Sequence, residues 1–443
     1  MAPINRAWCL KSVKSRPDQY SLLDVSGVAL LAVGHFMAFV DRAVPSVYAP
    51  ALKAQFHLTD TQLGALQGPA FVALYVVATL LAGHRGHRLS PAPLLAGAAA
   101  LWTAATVALA FAPNYESLLA ARLVLGFAQA AFAPAALALI VAAAPPQRLS
   151  RWVSMFTSGS SMGRSGALLA GGLALGAFSS GLLSALGHAP WRAAVVLLTL
   201  PNLLLVVLLA WRLRGLAPAQ AGGPGLGRAL ARLAARPAGL GLHFLTAGGV
   251  ILAVQATAAW APSIVNRACG LAPAASALLT GAVVLVAAPS GHLAAGWLMD
   301  RRLRAGGGPA PVLAGGLVLA VLGAAMLAGA SAPASAAGAL FLITAGGGGA
   351  ALAALAGLQP LSPAALRPPM NGLYLAFVTV AGLGFGPLLT GVVSDRLFAG
   401  PHGLAMALAL VTALAAGLAA LSCVLGAASW RRLARETLET ASA

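Results

Sequence analysis

The sequence Gly296-Trp297-Leu298-Met299-Asp300-Arg301 ends a long apolar stretch, and Gly83-His84-Arg85-Gly86-His87-Arg88 ends another in the same register 213 residues earlier. Leu58 and Leu271 each open their stretch 25 residues before the first glycine of these sequences. Few positions of the two stretches carry the same residue, but the distance from the leucine to the glycine is the same in both. Equivalent segments at one offset predict a chain built from two halves on a common plan, which is typical of duplicated polytopic membrane proteins.

Hydropathy indicates that lipid is the solvent of most of this chain. The 443 residues are 60% hydrophobic and 8% charged, with a mean hydropathy of +0.88, and no water-soluble globular domain could expose such a composition. A helix that rises about 1.5 Å per residue needs about 20 apolar residues to cross the hydrocarbon layer. Twelve stretches are long enough, and we number them segments 1 to 12 in chain order: 22–48, 61–83, 93–112, 117–144, 150–179, 190–213, 238–265, 273–299, 309–329, 334–361, 369–397 and 401–429.

The longest stretch without an apolar segment divides the chain into two groups of six. We therefore predict an all-α integral membrane protein with 12 transmembrane helices in two pseudo-symmetric six-helix bundles, at 22–213 and 238–429. Residues 214–237 form the central loop, and 1–21 and 430–443 form the two tails. Arginines at helical spacing in the loop predict either a basic surface helix at 226–236 or a plain solvated linker: Arg228, Arg232 and Arg236.

The net charge of +18 is a signal of topology rather than of nucleic-acid binding. Of the 27 basic residues, 20 lie before segment 1, in the even-to-odd loops or after segment 12. Three lie inside segments and four at the opposite face: Lys53, Arg192, Arg267 and Arg396. Cytoplasmic loops carry the excess of Lys and Arg, so both termini and the central loop are predicted to be cytoplasmic. No basic strip with interleaved aromatic residues supports nucleic-acid binding.

Composition also argues against enzymatic function, a metal site and a bound cofactor. A membrane-embedded enzyme needs a cluster of nucleophile, base or metal ligands, whereas the nine acidic residues lie mostly in tails and loops. The three cysteines, Cys9, Cys269 and Cys423, are too few and too scattered for a disulfide framework or a metal site. No phosphate-binding loop sequence that could power an ATP-driven pump is present.

Several motifs resemble those of the major facilitator superfamily, in addition to the six-plus-six organisation and the basic central loop. They are Gly-x-x-x-Asp-Arg at 296–301, Arg122-Leu-Val-Leu-Gly126 in segment 4, Trp191-Arg192 at the start of segment 6, and Gly384-Phe-Gly-Pro-Leu-Leu-Thr-Gly-Val-Val-Ser-Asp395 in segment 11. The resemblance covers nearly the whole chain. It implies a secondary transporter in which two six-helix bundles rock around a midplane cavity.

Within that superfamily, three sequences are similar to the Spinster-like branch: Val40-Asp41-Arg42, Leu58-Thr-Asp-Thr-Gln-Leu-Gly64, and Trp260-Ala-Pro262-Ser263 with Arg267. That branch includes carriers of lysophospholipids and sphingoid lipids and many bacterial members of unknown cargo. The chain departs from the family pattern twice. At the end of segment 2, His87 occupies the position of the aspartate in the superfamily's Gly-x-x-x-Asp-Arg pattern. In segment 4, Gln129 occupies the position where Spinster-like sequences usually carry a glutamate. Since glutamine cannot bind or release a proton, the family's coupling mechanism does not transfer directly to this chain.

Four ionisable side chains lie inside predicted segments, where each costs about 2.5–3.5 kcal/mol on insertion scales: Asp41, Arg42, Arg122 and Arg164. Helix rise places Asp41 roughly 28 Å above the cytoplasmic end of segment 1 and Arg122 roughly 8 Å below the outer surface. We therefore expect these two to pair at similar depth, with Gln129 on the same helical face as Arg122. This set is predicted to couple protons to transport. The alternative is a salt bridge that only fixes helix packing.

Other residues are predicted to line the pathway or to gate it. Arg42, about 100° from Asp41 on its helix, is expected to turn toward a neighbouring helix or to snorkel outward, and Arg164 is either a substrate anchor or a headgroup-seeking arginine. Polar candidates for the substrate site, each of which could instead only hydrogen-bond a neighbouring helix, are Gln67, Gln255, Trp260, Asn371 and Tyr374. The predicted gating residues are Gly83, His87, Arg88, Gly296, Asp300, Arg301 and Asp395.

The interior charges sum to +2, which favours an anionic or zwitterionic cargo. We expect a secondary active transporter of an organic acid or a lysolipid, with proton coupling through Asp41. The alternatives are an uncoupled facilitator of an organic anion and a non-transporting sensor with the same fold. Twenty-four arginines against three lysines hint at a GC-rich bacterial genome, so the inner membrane is the expected location. The expected partners are the bilayer, a small-molecule substrate and protons, and we expect a monomer.

Overall fold

The computed structural model describes residues 23–85, 90–145, 147–179, 189–216 and 225–442, and every regular element in these ranges is a helix. The first half contains ten α-helices. They are α1 (Val25–Val47), α2 (Ala49–Phe56), α3 (Asp60–Gln67), α4 (Pro69–Arg85), α5 (Pro91–Ala110), α6 (Tyr115–Ala130), α7 (Phe132–Ala143), α8 (Leu149–Ser179), α9 (Pro190–Thr199) and α10 (Pro201–Arg212).

The second half begins after α11 (Leu226–Ala235), a short helix within the central loop. Its α-helices are α12 (Leu242–Cys269), α13 (Pro273–Arg304), α14 (Ala310–Ala328), α15 (Pro333–Leu358), α16 (Arg367–Val378), α17 (Gly386–Leu397) and α18 (Gly403–Ser442). A π-helical turn, Pro237–Gly241, leads into α12, and a second one, Thr379–Gly384, joins α16 to α17. The helix α18 continues past residue 429, where the sequence predicted the last segment to end.

Eleven helices or consecutive helix pairs in the described part are long and apolar enough to cross a membrane. They coincide with eleven of the twelve predicted segments, and their ends differ from the prediction mostly by a few residues. The remaining segment, 150–179, corresponds to the 31-residue helix α8. It is not among the eleven apolar spans, because it carries the polar sequence Thr157-Ser158-Gly159-Ser160-Ser161 and Arg164. The chain is therefore a multi-pass, all-α membrane protein.

Four predicted segments are interrupted helices rather than continuous ones, and in segment 4 the break falls at Ala131, between α6 and α7. Segment 2 is α3 followed by α4, and the break falls at Gly68 and Pro69. Segment 6 breaks before Pro201, and segment 11 is divided by the glycine-rich π-helical turn. Proline lacks the backbone N–H that an uninterrupted helix needs, so the sequence itself places the breaks in segments 2 and 6. By contrast, Pro45 lies inside α1 without ending it.

The helices define two faces of the molecule. We call the face that contains the start of α1, the helix α11 and the end of α18 the terminal face. The opposite face, which contains α2 and the starts of α3 and α13, is the distal face. The two halves meet near the distal face. There Ser46 of α1 donates to the carbonyl oxygen of Ala259 in α12 at 2.9 Å, and these two residues are separated by the same 213-residue offset that relates the two motifs. Gly172 of α8 similarly faces Ala274 of α13.

Candidate functional site

Asp41 lies in the interior of the first half and is bound by a neutral side chain. It is 1% exposed, and its Oδ2 accepts a hydrogen bond from Nδ2 of Asn202 in α10 at 2.7 Å. Thr106 is adjacent, but its hydroxyl donates to the carbonyl oxygen of Trp102 at 3.0 Å. The other carboxylate oxygen, Oδ1, is buried and has no hydrogen-bond partner among the described residues.

Arg122 binds the broken end of segment 2. Its Nε donates to the carbonyl oxygen of Leu66 at 3.2 Å and its Nη2 to that of Gln67 at 3.5 Å. These carbonyls belong to the last turn of α3, where a helix leaves its carbonyl groups without intrahelical donors. The third contact is from Nη1 to the carbonyl oxygen of Arg42 at 3.3 Å. Arg122 is 1% exposed, so it acts as a buried cap that ties segments 1, 2 and 4 together.

The predicted ion pair between Asp41 and Arg122 is not formed. No atoms of the two charged groups lie within the 4.0 Å of a salt bridge, although both residues are described. Their depths are compatible, but Asp41 faces α10 while Arg122 faces the end of α3. Helix rise fixes how deep a residue lies and leaves open the direction in which its side chain points, and this direction was wrong in the prediction.

Arg42 pairs with Gln129 and stacks on aromatic rings. Its Nη2 and Nε donate to Oε1 of Gln129 at 3.1 and 3.3 Å, and Nε2 of the same glutamine donates to the carbonyl oxygen of Ala38 at 2.9 Å. The guanidinium carbon lies 4.4 Å from the ring centre of Phe39 and 4.6 Å from that of Phe71. Arg42 therefore turns toward a neighbouring helix, as one of the two expectations stated. A side chain at Gly126, one turn before Gln129, would overlap the carbonyl oxygen of Phe71, so glycine is needed for this close helix packing.

Arg164 joins the two halves. Its Nη2 donates to Oε1 of Gln255 in α12 at 3.1 Å. Arg164 is half-buried, and it lies close enough to Arg42 for the two positive charges to repel each other. Both arginines are thus held by glutamine oxygens, and neither has a carboxylate within 4.0 Å in the described part of the chain.

The other predicted substrate residues occupy different environments. Gln67 is 5% exposed, and neither atom of its amide group has a hydrogen-bond partner among the described residues. The Tyr374 hydroxyl is also buried without a partner in that part of the chain, beside the ring of Phe244. Asn371 accepts a hydrogen bond from Gln359 at 3.1 Å. Trp260 differs from the prediction, because it is fully buried and donates to the carbonyl oxygen of Pro387 at 3.0 Å, so it packs α12 against α17 and does not line a cavity in this conformation.

A cluster of ion pairs and hydrogen bonds closes the distal face, and we call it the distal latch: Lys53, Asp60, Arg267, Ser394 and Asp395. The carboxylate of Asp60, in the first half, accepts two hydrogen bonds from Arg267 in the second half, at 2.6 and 2.8 Å. Ser394 donates to the same carboxylate at 2.8 Å, and Lys53 binds it from the first half. The Asp60 side chain is 4% exposed and that of Arg267 is 24% exposed, so the carboxylate is shielded from water and the guanidinium only in part.

Asp395, the last carboxylate of segment 11, completes the distal latch by capping a helix of the other half. Its oxygens accept hydrogen bonds from the backbone N–H groups of Asp60 at 3.1 Å and Thr61 at 2.7 Å. The Thr61 hydroxyl also donates to it at 2.7 Å. A carboxylate at a helix N-terminus satisfies free N–H groups and complements the helix dipole. A side chain at Gly391, one turn earlier, would overlap the carbonyl oxygen of Asp60, which makes this glycine necessary for the contact.

Four of the predicted gating residues belong to the terminal face: Gly83, Gly296, Asp300 and Arg301. Gly296, Asp300 and Arg301 lie in the last turns of α13, where Asp300 and Arg301 are exposed and the guanidinium of Arg301 lies 5.5 Å from the ring centre of Trp297. Gly83 lies in α4. His87 and Arg88 lie outside the described residues. Asp300 makes no ion pair with the other half within the described ranges.

Sequence reasoning missed Asn202 and the ion pair of the distal latch. Asn202 follows Pro201 inside an otherwise apolar segment, and a single amide in such a segment is a signal for a buried polar partner. Asp60 was noted only as part of a family motif, and Arg267 as part of such a motif and as a basic residue at the opposite face. The available signal was their position, since each is a charged residue at the distal end of a segment and such residues on opposite halves can pair.

Comparisons with known proteins agree with this architecture. The sequence profile of the Major Facilitator Superfamily matches residues 31–383. A bacterial homolog of the human lysosomal transporter Spinster, in its inward-facing and unoccupied conformation, superposes with a TM-score of 0.76 at 22% identity, covering 94% of this chain and 98% of that chain. The nucleoside transporter NupG superposes with a TM-score of 0.70 at 13% identity, covering 90% of this chain and 98% of that chain. At these identities the superpositions establish the fold.

Curated relatives are transporters or resistance proteins. A gallate transporter of Pseudomonas putida is 28% identical over 325 residues, covering 65% of this chain and 68% of the relative. An MFS-type efflux pump of Mycolicibacterium smegmatis is 28% identical over 173 residues, and the match spans only 38% of its length and 39% of this chain. A probable sulfoacetate transporter of Cupriavidus necator is 31% identical over 109 residues, a quarter of either chain.

Proposed function

The chain belongs to the major facilitator superfamily, and we propose that this transporter carries small organic anions across the membrane by alternating access. Membership of this family and the transporter relatives make it a transporter rather than an enzyme. The identity of the cargo, its coupling to protons and the orientation in the membrane are the parts that we propose.

The observation that carries the proposal is the pair of interior arginines held by neutral groups. Arg42 donates to Gln129 and Arg164 to Gln255, and neither has a carboxylate partner in the described ranges. A guanidinium that is half-buried without a counter-ion is costly, and its planar fork of donors matches a carboxylate or sulfonate. An anionic substrate would supply the missing charge. Because Arg164 already bridges to the second half, such a substrate would contact both halves.

Two curated relatives are consistent with an anionic cargo. Gallate is an aromatic carboxylate, and sulfoacetate carries a sulfonate and a carboxylate. The rings of Phe39, Phe71 and Tyr75 around Arg42 would contact the apolar part of an aromatic acid. The same rings would equally contact the acyl chain of a lysolipid, the second cargo class that the sequence predicts. Because the fold resembles that of the Spinster homolog, the counterflow experiment below also includes a lysolipid.

Proton coupling is proposed at Asp41. Its carboxylate is 1% exposed and is bound by an amide rather than by a cation. Keeping an unpaired charge in the interior costs several kcal/mol, so protonation and deprotonation of this group would change how strongly segment 1 binds segment 6. Such a change biases a two-state element. The site thus offers a proton carrier in a chain where Gln129 cannot serve as one.

The orientation follows from the positive-inside prediction. If the terminal face is cytoplasmic, then the closed distal latch corresponds to a conformation closed to the outside. We propose that transport alternates between this state and one in which the latch is open and the terminal ends of the halves approach each other. Inner-membrane location and action as a monomer remain predictions of the same reading.

The experiment is counterflow with purified protein in liposomes, which needs no ion gradient. Liposomes loaded with unlabelled gallate, sulfoacetate or lysophosphatidylcholine are diluted into the labelled compound, and the expected result is exchange of gallate or sulfoacetate. Arg42→Gln and Arg164→Gln should each reduce exchange at least tenfold, because a charge-assisted contact contributes about 1.5–3 kcal/mol. The matched control is Arg151→Gln, an exposed arginine on the same helix as Arg164. Exchange of the lysolipid alone, or equal activity of all variants, would reject the organic-anion proposal.

A further inference from the structure

A cleft of about 300 Å³ lies on the flank of the second half, away from the interior arginines. It runs between the start of α12, the start of α14 and the end of α18. On α18 its wall extends from Arg431 to Ser422, a distance of about 13 Å at 1.5 Å per residue. The cleft therefore reaches from the terminal face into the hydrocarbon layer.

The interior of the cleft is effectively apolar, because its polar groups are used within the protein. The Trp430 indole N–H donates to the carbonyl oxygen of Gly357 at 3.0 Å. A ring nitrogen of His243 forms a hydrogen bond with the carbonyl oxygen of Ala354 at 2.8 Å. The hydroxyl groups of Thr246 and Ser422 donate to carbonyl oxygens in their own helices. A ligand inside the cleft would thus meet hydrocarbon and satisfied polar groups.

The mouth of the cleft is cationic. Arg302, at the end of α13, and Arg431, on α18, both line it and are both exposed. Neither makes an ion pair with a described residue. Both belong to the terminal face, at the level where lipid headgroups meet the protein. Two unpaired guanidinium groups above an apolar cleft match an anionic headgroup attached to an apolar chain.

The flank beside the cleft is exposed and apolar, as expected of a lipid-facing surface. Leu421, Val424 and Leu425, on the same turns of α18, are 57, 73 and 62% exposed. The adjoining Trp430 has an amphipathic ring of the kind enriched at membrane interfaces. A lipid could therefore enter the cleft from the side without crossing the transport pathway.

We propose that this cleft binds an anionic phospholipid of the leaflet on the terminal face. The phosphate contacts Arg302 and Arg431, and an acyl chain lies along Trp430 toward Ser422. Because α12 and α18 are both walls, the bound lipid joins the first and last transmembrane helices of the second half. The site is separate from the proposed cargo site, and it stands whether or not the cargo is an organic anion.

Protection of Cys423, which lines the cleft, tests the proposal. In a variant with Cys9→Ser and Cys269→Ser, Cys423 is the single cysteine of the sequence. The rate of its modification by N-ethylmaleimide is measured for the full chain in detergent with added dioleoylphosphatidylglycerol, dioleoylphosphatidylcholine or glycerol 3-phosphate. Phosphatidylglycerol should slow modification several-fold, and the other two should not. Because this comparison uses the same variant throughout, it isolates the headgroup and the chain.

Charge variants provide the second arm. Arg302→Gln with Arg431→Gln should weaken the apparent affinity for phosphatidylglycerol about 30-fold, since each arginine near a headgroup contributes about fivefold. The matched control is Arg304→Gln with Arg432→Gln, which removes two exposed charges from the same helix ends outside the cleft. The proposal is overturned if phosphatidylglycerol gives no protection, or if phosphatidylcholine or glycerol 3-phosphate protects equally well. It is also overturned if the control variant loses as much affinity for phosphatidylglycerol as the Arg302 and Arg431 variant. The lipid comparison remains decisive if a charge variant does not fold.

Discussion

Single residues inside this transporter are held by uncharged partners. Asp41 binds the Asn202 amide, Arg42 the Gln129 oxygen, and Arg164 the Gln255 oxygen. An interior ion pair would be tightly fixed, because removing one partner strands the other charge. Amide partners bind either protonation state of a carboxyl group and leave a guanidinium able to bind an anion. On the proposal that this site binds an anion and a proton, such partners suit exchange of both better than a fixed ion pair would.

For Asp41→Asn, we expect loss of pH-driven accumulation and retention of counterflow. The substitution keeps the shape of the side chain and removes the group that can bind a proton, while Asn202 can still hydrogen-bond to the new amide. The measurement compares uptake of labelled cargo under an inward proton gradient with exchange at equal pH. An Asp41→Asn protein that still concentrates cargo under the gradient would show that the proton is carried elsewhere. In that case Asp41 has only a packing role.

For Arg122→Ala, we expect loss of both accumulation and exchange, together with lower thermal stability. The substitution leaves the carbonyl groups of Leu66 and Gln67 without a donor in a buried site, at a cost of about 1–3 kcal/mol each. Arg122→Lys should recover part of the stability, because an ammonium group can still bind one carbonyl group. Melting of the purified protein and counterflow are measured on the same samples. Unchanged melting in Arg122→Ala would contradict the capping role.

The sequence predicted which residues belong to the site, because a charged residue inside an apolar segment can be recognised from its position along the segment. A charge inside an apolar segment needs a partner, and on that rule Asp41, Arg42, Arg122 and Arg164 were all selected for attention. Their pairing was not predictable, because neighbouring residues on a helix point about 100° apart, and the choice of partner depends on which helix packs on each side. The Asp41 to Asn202 contact, between segments 1 and 6, is of that kind.

At the scale of elements, the distal latch joins the short helix α3 of the first half to the helices α12 and α17 of the second half. The start of α3 is capped by Asp395 of α17, and its first residue, Asp60, binds Arg267 of α12. The helix break at Gly68 allows α3 to pack independently of α4. Opening the distal face therefore requires these contacts to separate together. The break was predictable from Gly68 and Pro69, but the docking of α3 across the halves was not, since no local pattern identifies a partner 334 residues away.

For Asp60→Asn, we expect a larger population of the conformation open at the distal face. Breaking a fully buried ion pair by removing one charge costs roughly 3–5 kcal/mol, and the partial exposure of the Arg267 and Lys53 side chains, 24 and 34%, lowers that cost here. The penalty falls on the closed state, where both cations lose their carboxylate partner. Spin labels on the distal ends of α5 and α14 would report the change as a shift toward longer distances. Glu116→Gln, which alters an exposed carboxylate on the same face, is the control. An unaltered distance distribution in Asp60→Asn would mean that the latch does not control the equilibrium.

At the scale of the whole molecule, one sequence offset accounts for the relation between the halves. The motifs at 83–88 and 296–301 are 213 residues apart, and so are Ser46 and Ala259, which touch where the halves meet. Equivalent residues make contact only near a symmetry axis. The number of halves, the class of fold and most segment ends were therefore accessible from hydropathy and spacing. The conformation was not, because a rocking transporter has at least two packings of the same helices and the sequence encodes both.

The final prediction concerns orientation, on which the assignment of inward and outward states depends. Twenty of the 27 basic residues lie in the sequence before segment 1, in the even-to-odd loops or after segment 12, and Lys and Arg near segment ends are retained in the cytoplasm. Reporter fusions at residue 225 and at the carboxyl end should both report the cytoplasm, whereas a reporter inserted after Gly270, in the distal loop between α12 and α13, should report the outside. Opposite locations for the two terminal-face reporters would contradict the even number of crossings. If all three locations were inverted, the positive-inside reading would be wrong, and the closed distal latch would then seal the cytoplasmic side.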